Sequence, residues 1–300
     1  MNARVSRRRR ARLTAVALVL LALAVLVASG GGDSTRRRAR QVAVARHLAV
    51  VSPRRMTAHS LFHIEALGEA HIRQLARLGL PVYCGAPRGN EVAFTFDDGP
   101  GPYTYPALRN LRAAGERATF FVVGRSMSYF PGWLRREQAL AAVGDHTYHH
   151  PDLQLLANAE INSEIITTAR MIKAQLGQRP SLFRPPYGAR DARVDGLVKR
   201  LGLLDIMWSM DSRDSLGANW RGIIRNVEAG LRPGAIILFH ENHGQTIRAL
   251  PTLLSELHRR HLRSVSLPEL FAAGAPSAGQ VRRGLDGCGP RVSPPVLSGG

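Results

Sequence analysis

Between residues 87 and 267 short apolar runs alternate with longer stretches of helical periodicity, and that alternation is the strongest constraint on the fold. The runs at 92–96, 118–123, 181–183, 204–209, 235–239 and 263–267 read as strands. The stretches at 105–114, 133–142, 155–176, 194–201, 220–231 and 248–259 read as helices. Such a rhythm predicts parallel strands joined by helical crossovers. Six or seven strands in about 180 residues predict a compact α/β fold, a (β/α) barrel either complete or short of the eight strands of a full one. No internal repeat is present.

The flanks read differently. Residues 1–32 combine arginines with an apolar stretch, 33–55 are rich in Arg, Ser and Gly, and 56–80 place Ile64, Leu67, Leu75 and Leu78 at helical spacing before a stop at Gly79. The resulting division is a leader or anchor at 1–32, a linker with a short amphipathic helix at 33–85, a main domain at 86–272 and a loose, Gly-, Pro- and Ser-rich tail at 273–300.

The chain carries a formal charge of +19, of which residues 1–60 supply +12 through 13 Arg and a single acid, Asp33. The run from Arg7 to Arg10 directly precedes the uncharged stretch 13–32, the layout of an export signal. No aromatic platform accompanies the arginines, so no nucleic-acid partner is expected. The stretch is intermediate in length between a signal core and a minimal spanning helix, which leaves cleavage and membrane anchoring both open. Six Arg precede it and four follow, a bias that sends the bulk of the chain to the outer side of the cytoplasmic membrane, anchored or secreted. There, Cys84 and Cys288 are candidates for a disulfide, the alternative being two free thiols. A monomer is expected.

Polar residues interrupt the pattern at strand ends, where β/α barrels gather reactive groups. The first strand runs into Asp97-Asp98-Gly99-Pro100, adjacent carboxylates able to divide metal binding from proton transfer. His146 and His150 are four apart, a spacing used for zinc, and His149 stays open as an alternative partner. With Asp98 they make two His and one carboxylate, the composition of a catalytic zinc site. Arg184, Asp214 and His240 close further strands. Singly each has an ordinary explanation: a surface ion pair, a helix cap and a strand-end histidine.

In this order, TFDDGP (95–100), HTYHH (146–150), RPPYG (184–188), DSRD (211–214) and ILFH (ending at His240) resemble the five motifs of the NodB-homology polysaccharide deacetylases, the family-four carbohydrate esterases. The resemblance covers about 86–272. It implies a distorted barrel that removes acetyl groups from N-acetylated sugars with a divalent metal, usually zinc, though Co2+ or Ni2+ would suit the same ligands. By motif matching, Asp98, His146 and His150 are the expected metal ligands, Asp97 the general base and His240 the general acid. Arg184 is expected to hold Asp97, Asp214 to orient His240, the Tyr187 N–H to stabilise the oxyanion and Leu238 to line the acetyl-methyl pocket. Ser215 stands where the family usually has Trp, so either Trp220 fills that place or the pocket is more open.

No Gly-x-Ser-x-Gly elbow or His-Glu-x-x-His helix occurs, which leaves serine-hydrolase and zincin chemistry without residues. What the resemblance implies is thus an N-deacetylase of an N-acetylglucosamine polymer, with peptidoglycan first and chitin-type oligomers second. The alternatives are an O-acetyl xylan esterase with the same site and a catalytically silent carbohydrate-binding envelope protein.

Overall fold

The computed structural model describes residues 58–289. The apolar stretch 13–32 and the Arg-rich stretch 33–55 lie outside the described residues, as does the end of the tail. Among the described residues no helix is long and apolar enough to cross a membrane.

The core is one parallel sheet. Strands β1 (Glu91–Gly99), β2 (Ala118–Val122), β3 (Ala141–Asp145), β4 (Leu182–Phe183), β5 (Leu204–Asp205), β6 (Met210–Asp211) and β7 (Ile236–His240) lie in the order β5-β4-β3-β2-β1-β7-β6. Strand β8 (Arg263–Ser264) pairs with the first two residues of β1. The sheet curls into a distorted, incomplete (β/α) barrel; the alternation predicts the barrel and the family resemblance its distortion.

Period-two alternation sorts the side chains of the central strands onto two faces. Val92, Phe94 and Phe96 of β1 join Ile237 and Phe239 of β7 in one core, under α2 (Thr104–Ala114), α7 (Trp220–Gly230) and α8 (Gly244–Arg259). Phe96 stacks on Phe120 and Phe239 at 5.1 and 5.3 Å. Each buried Phe contributes about 1.5–3 kcal/mol by leaving water. The other face carries Ala93 and Ile236, which pack with Phe121 and with Ile72, Leu270 and Phe271 of α1 (Ala58–Ala76) and α9 (Leu267–Gly274). Further along this inner face β1 presents Thr95 and Asp97, and β7 presents Leu238 and His240. The inner face thus turns from apolar to polar toward the strands' C-terminal ends.

Several elements differ from the sequence reading. The helix expected at 133–142 ends early, as α4 (Trp133–Gln138), after a short α3 (Gly124–Tyr129), and Ala141 onward is β3. Alanines favour helix locally, but strand pairing with β2 along the whole of β3 overrides that preference. Gly144 is required there, because a Cβ would stand 2.5 Å from the Phe121 ring. The strand expected at 204–209 is strand only at Leu204–Asp205, and β6 begins just beyond it, at Met210. β5 pairs with β4, whereas β6 pairs with β7 at the opposite edge, and the residues between them span the gap. Val82 bridges to Ile206 and Cys84 to Ala235 within that gap.

The described parts of both flanks, residues 58–85 and 273–289, pack on the barrel. In α1, Ile72 and Leu75 are buried, while Leu67 faces outward, 49% exposed. The tail expected to be loose from 273 is folded as far as Cys288. It forms α10 (Ala278–Arg282) and a 3-10 turn at Gly284–Cys288, held by a Cys84–Cys288 disulfide with Cα atoms 5.8 Å apart.

Candidate active site

Strand register brings the polar residues to one level. Asp97 is the partner of His240 across β1 and β7, and of Phe121 across β1 and β2. Val122 pairs with Asp145, and Asp145 with Phe183, so His146 and Arg184 follow at the same height.

Asp98, His146 and His150 each offer one ligand atom, all within 4.8 Å of one another. The Nε2 of His150 is 3.1 Å and that of His146 3.7 Å from Oδ1 of Asp98. Three features fit a cation. The Oδ1 of Asp98 is buried with no aligned hydrogen bond, and a buried carboxylate oxygen without a donor is normally rare. The Nδ1 of His146 lies 2.7 Å from the carbonyl of Arg184, an acceptor, so Nδ1 carries the proton and Nε2 presents its lone pair to the group. Burial pulls His146 below the ordinary histidine value, against the charges of Asp97 and Asp98, which favours the neutral ring that a metal needs. Burial also tends to raise Asp98, but the nearby imidazoles of His150, His146 and His240 outweigh it and hold its carboxyl well below the usual range.

The backbone is bent to make this group. Asp98, Thr147 and His150 have φ of 74°, 67° and 66°, left-handed values at which a side chain is strained. Such strain persists where surrounding bonds impose it, and it gathers at functional sites. Here the Oδ1 of Asp145 accepts from Thr147 N–H at 2.9 Å, and the Thr147 hydroxyl accepts from His150 N–H at 3.1 Å.

Asp97 is held from within the barrel. Arg184 crosses the interior and donates from Nη1 to Oδ1 of Asp97 at 2.8 Å and to the hydroxyl of Thr95 at 2.9 Å. Its Nε and Nη2 donate to the carbonyls of Ile206 and Met207, and Phe121 lies 4.2 Å under the guanidinium. The guanidinium is fully buried with all three of its nitrogens hydrogen-bonded, the condition under which a buried ion pair is tolerated. The Oδ2 of Asp97 faces Nε2 of His146 at 3.7 Å.

His240 is fixed by Asp214. Oδ1 of Asp214 accepts from Nδ1 of His240 at 2.7 Å, and Oδ2 accepts from the His240 N–H at 2.7 Å and from the Thr246 hydroxyl at 2.5 Å. Burial would lower the His240 pKa, but the hydrogen bond and charge of Asp214, with Asp97 and Asp98 behind, raise it to about 9. The imidazole is therefore protonated at neutral pH and can donate a proton.

The remaining expected residues are also placed. Tyr187 stands on a 3-10 turn at φ 61°, its ring 71% exposed and packed on His150 at 4.6 Å. Leu238 is buried on the inner face, level with Thr95 and Asp211. His149, open as a ligand from sequence, is not in the metal group; its ring is 58% exposed and bonded to Glu164. Trp220 is held between the guanidiniums of Arg221 and Arg248, at 4.3 and 4.8 Å, so the indole is engaged on α7 and α8. The ring that packs beside His240 is His243, at 5.9 Å.

Thr95, Thr246 and Asn242, which donates to Oδ2 of Asp98 at 3.2 Å, join the site although sequence reasoning passed over them. Thr95 belonged to the TFDDGP motif and was legible as an inward strand position. Thr246 and Asn242 carry no signal beyond lying within six residues of His240.

The polysaccharide deacetylase family model matches residues 85–205. A peptidoglycan-N-acetylglucosamine deacetylase of Listeria monocytogenes is 35% identical over 62% of this chain, although the match spans only 40% of that protein. A chitooligosaccharide deacetylase of Bradyrhizobium is 36% identical over 60% of this chain and 90% of that protein. The solved family 4 carbohydrate esterase of Streptomyces lividans, in complex with acetate, superposes with a TM-score of 0.56 at 34% identity, covering 59% of this chain and 92% of that one. With its sheet, its site and these relatives in agreement, the chain belongs to the polysaccharide deacetylase family.

Proposed function

We propose that the chain is a metal-dependent hydrolase that removes N-acetyl groups from a polymer of N-acetylglucosamine, with peptidoglycan as first substrate and chitin-type oligomers as second. The observation that carries this reading is the flanking of the Asp98, His146 and His150 group by a carboxylate and a protonated imidazole on adjacent strands, Asp97 and His240. The names of the Listeria and Bradyrhizobium relatives support the substrate class.

Amide hydrolysis needs an activated water, stabilisation of developing negative charge and a proton for the departing nitrogen. A divalent metal, which we take to be zinc, would supply acidification of water and polarisation of the acetyl carbonyl when held by Asp98, His146 and His150. Asp97, aimed by its hydrogen bond from Arg184, takes the proton of the attacking water. His240, held in one orientation by Asp214, gives its proton to the sugar nitrogen. The backbone N–H of Tyr187 adds a donor to the oxyanion, and Leu238 receives the acetyl methyl.

We place the protein outside the cytoplasmic membrane, as a monomer. The disulfide between Cys84 and Cys288 supports an oxidising compartment.

The test is acetate release by the full chain, metal-stripped and zinc-loaded, from peptidoglycan, chitin oligomers and acetylated xylan, with Asp97→Asn as control. Zinc-dependent release from the sugar amides that the control loses is the expected result. Release from xylan alone would replace the reading with an O-acetyl esterase. Zinc binding without release from any of them would point to a silent carbohydrate-binding protein.

A further inference from the structure

The four amides from Thr147 to His150 lie between or on the two histidine ligands, and each has a fixed acceptor. Thr147 N–H and His150 N–H are taken within the loop, by Asp145 and Thr147. The middle two are taken from outside it. Oε2 of Glu164 accepts from Tyr148 N–H at 2.9 Å and from His149 N–H at 2.7 Å, while Oε1 lies 2.7 Å from Nδ1 of His149. Glu164 belongs to α5 (Asn158–Leu176), whose Ile161, Ile165 and Ile172 are buried, so the carboxylate is presented from a rigid element and is itself only 13% exposed.

This arrangement explains how a loop with two left-handed, non-glycine residues keeps its shape. Thr147 and His150 bracket Tyr148 and His149, and a positive φ on either side would relax to extended backbone unless the amides between them were tied down. One carboxylate accepting three donors does this at a single point. The middle of the loop is thereby tied to α5.

We propose that Glu164 is a positioning residue for the metal site: it sets the separation and direction of His146 and His150 without touching the ion. The inference rests on the reading of Asp98, His146 and His150 as metal ligands. Outer partners of this kind typically change metal affinity about 10–100-fold when removed.

Three variants of the full chain separate geometry from charge. Glu164→Ala removes all three acceptor contacts. Glu164→Gln keeps one oxygen able to serve Tyr148 and His149, and Glu164→Asp keeps the charge but withdraws it by one methylene. Zinc affinity is read by competition with a chromogenic chelator, and ligand geometry by the visible absorption of the Co2+-substituted protein. The expected result is a zinc affinity about 10–100-fold weaker and an altered cobalt spectrum in Glu164→Ala and Glu164→Asp, with substantial recovery of both in Glu164→Gln. Wild-type affinity and an unchanged cobalt spectrum in Glu164→Ala would overturn the proposal, as would a Glu164→Gln variant as impaired as Glu164→Ala. If Glu164→Ala does not fold, the Gln and Asp variants decide by the same readouts. Failure of the wild-type chain to bind zinc at all would instead overturn the metal reading on which the proposal stands, so the two failures are distinguishable.

Discussion

Arg184 donates to Asp97 at 2.8 Å across the barrel interior, and its backbone carbonyl at the same time receives Nδ1 of His146 at 2.7 Å. One residue therefore aims the carboxylate on one side of the site and fixes the ring tautomer on the other. Arg184→Ala leaves Asp97 buried and unpaired, for which a stability loss of about 3–5 kcal/mol is expected by urea denaturation. Adding Asp97→Asn should recover part of that loss, because no charge is then left uncompensated. Additive losses in the double variant would show that the pair is not coupled. Activity of Arg184→Ala should fall at least about 100-fold through misplacement of Asp97.

The pairing of Asp214 with His240 gives the pH profile a direction. His240 is raised to about 9, so its donating form is present below that pH and lost above it. kcat/KM should therefore fall as pH rises through about 9. Asp214→Asn removes the interaction that holds the value up, and the descending limb should move toward the ordinary histidine value of about 6.5, together with a loss of rate. An unmoved limb would show that another group governs it.

Glu137 on α4 is fully buried, and neither of its carboxyl oxygens has a hydrogen-bond partner among the described residues. Burial pushes its pKa up to about 8, and Glu241, also buried, is pushed well above the usual range by burial and by the charge of Glu137. A carboxyl raised in the folded state binds its proton more tightly there, so stability falls as pH rises from about 4.5 toward 8. Glu137→Gln mimics the protonated form. It should exceed wild type in stability at pH 8 by an amount on the order of a few kcal/mol, and the gap should close near pH 4.5. Equal urea midpoints of the two proteins at pH 8 would contradict this.

The Cys84–Cys288 disulfide joins residues 204 apart. Cross-linking across so long a loop restricts the unfolded chain, and its removal in Cys84→Ser, Cys288→Ser should cost about 3–5 kcal/mol. Cys84 contacts Gln280 and pairs with Ala235, and the Cys288 carbonyl accepts from Arg232, all outside the site, so kcat and KM at temperatures below unfolding should stay at wild-type values. A change in KM would show that Val82–Cys84 transmits to the site through Ile206.

What the sequence by itself determined is the class of fold and the constituents of the site. Period-two runs between helical stretches predict parallel strands; Asp97, Asp98, Arg184, Asp214 and His240 are legible because each ends or follows a run read as a strand, and His146 and His150 through their four-residue spacing, all in motif order. The structure brings all seven to one end of the barrel.

Only the tertiary structure decided how those residues are held. Propensity misassigned β3, since an Ala-Ala-Val-Gly segment becomes a strand through pairing with β2 rather than through local preference. The apolar run after Leu203 serves both edges of the sheet because the incomplete barrel must be spanned, which no local pattern records. Likewise Glu164, Thr246 and Asn242 act through long-range or loop contacts that have no periodicity to betray them. Hydrophobic alternation is a local property and survives in the sequence; hydrogen-bond partnership across 15 to 144 residues is created when the chain closes on itself.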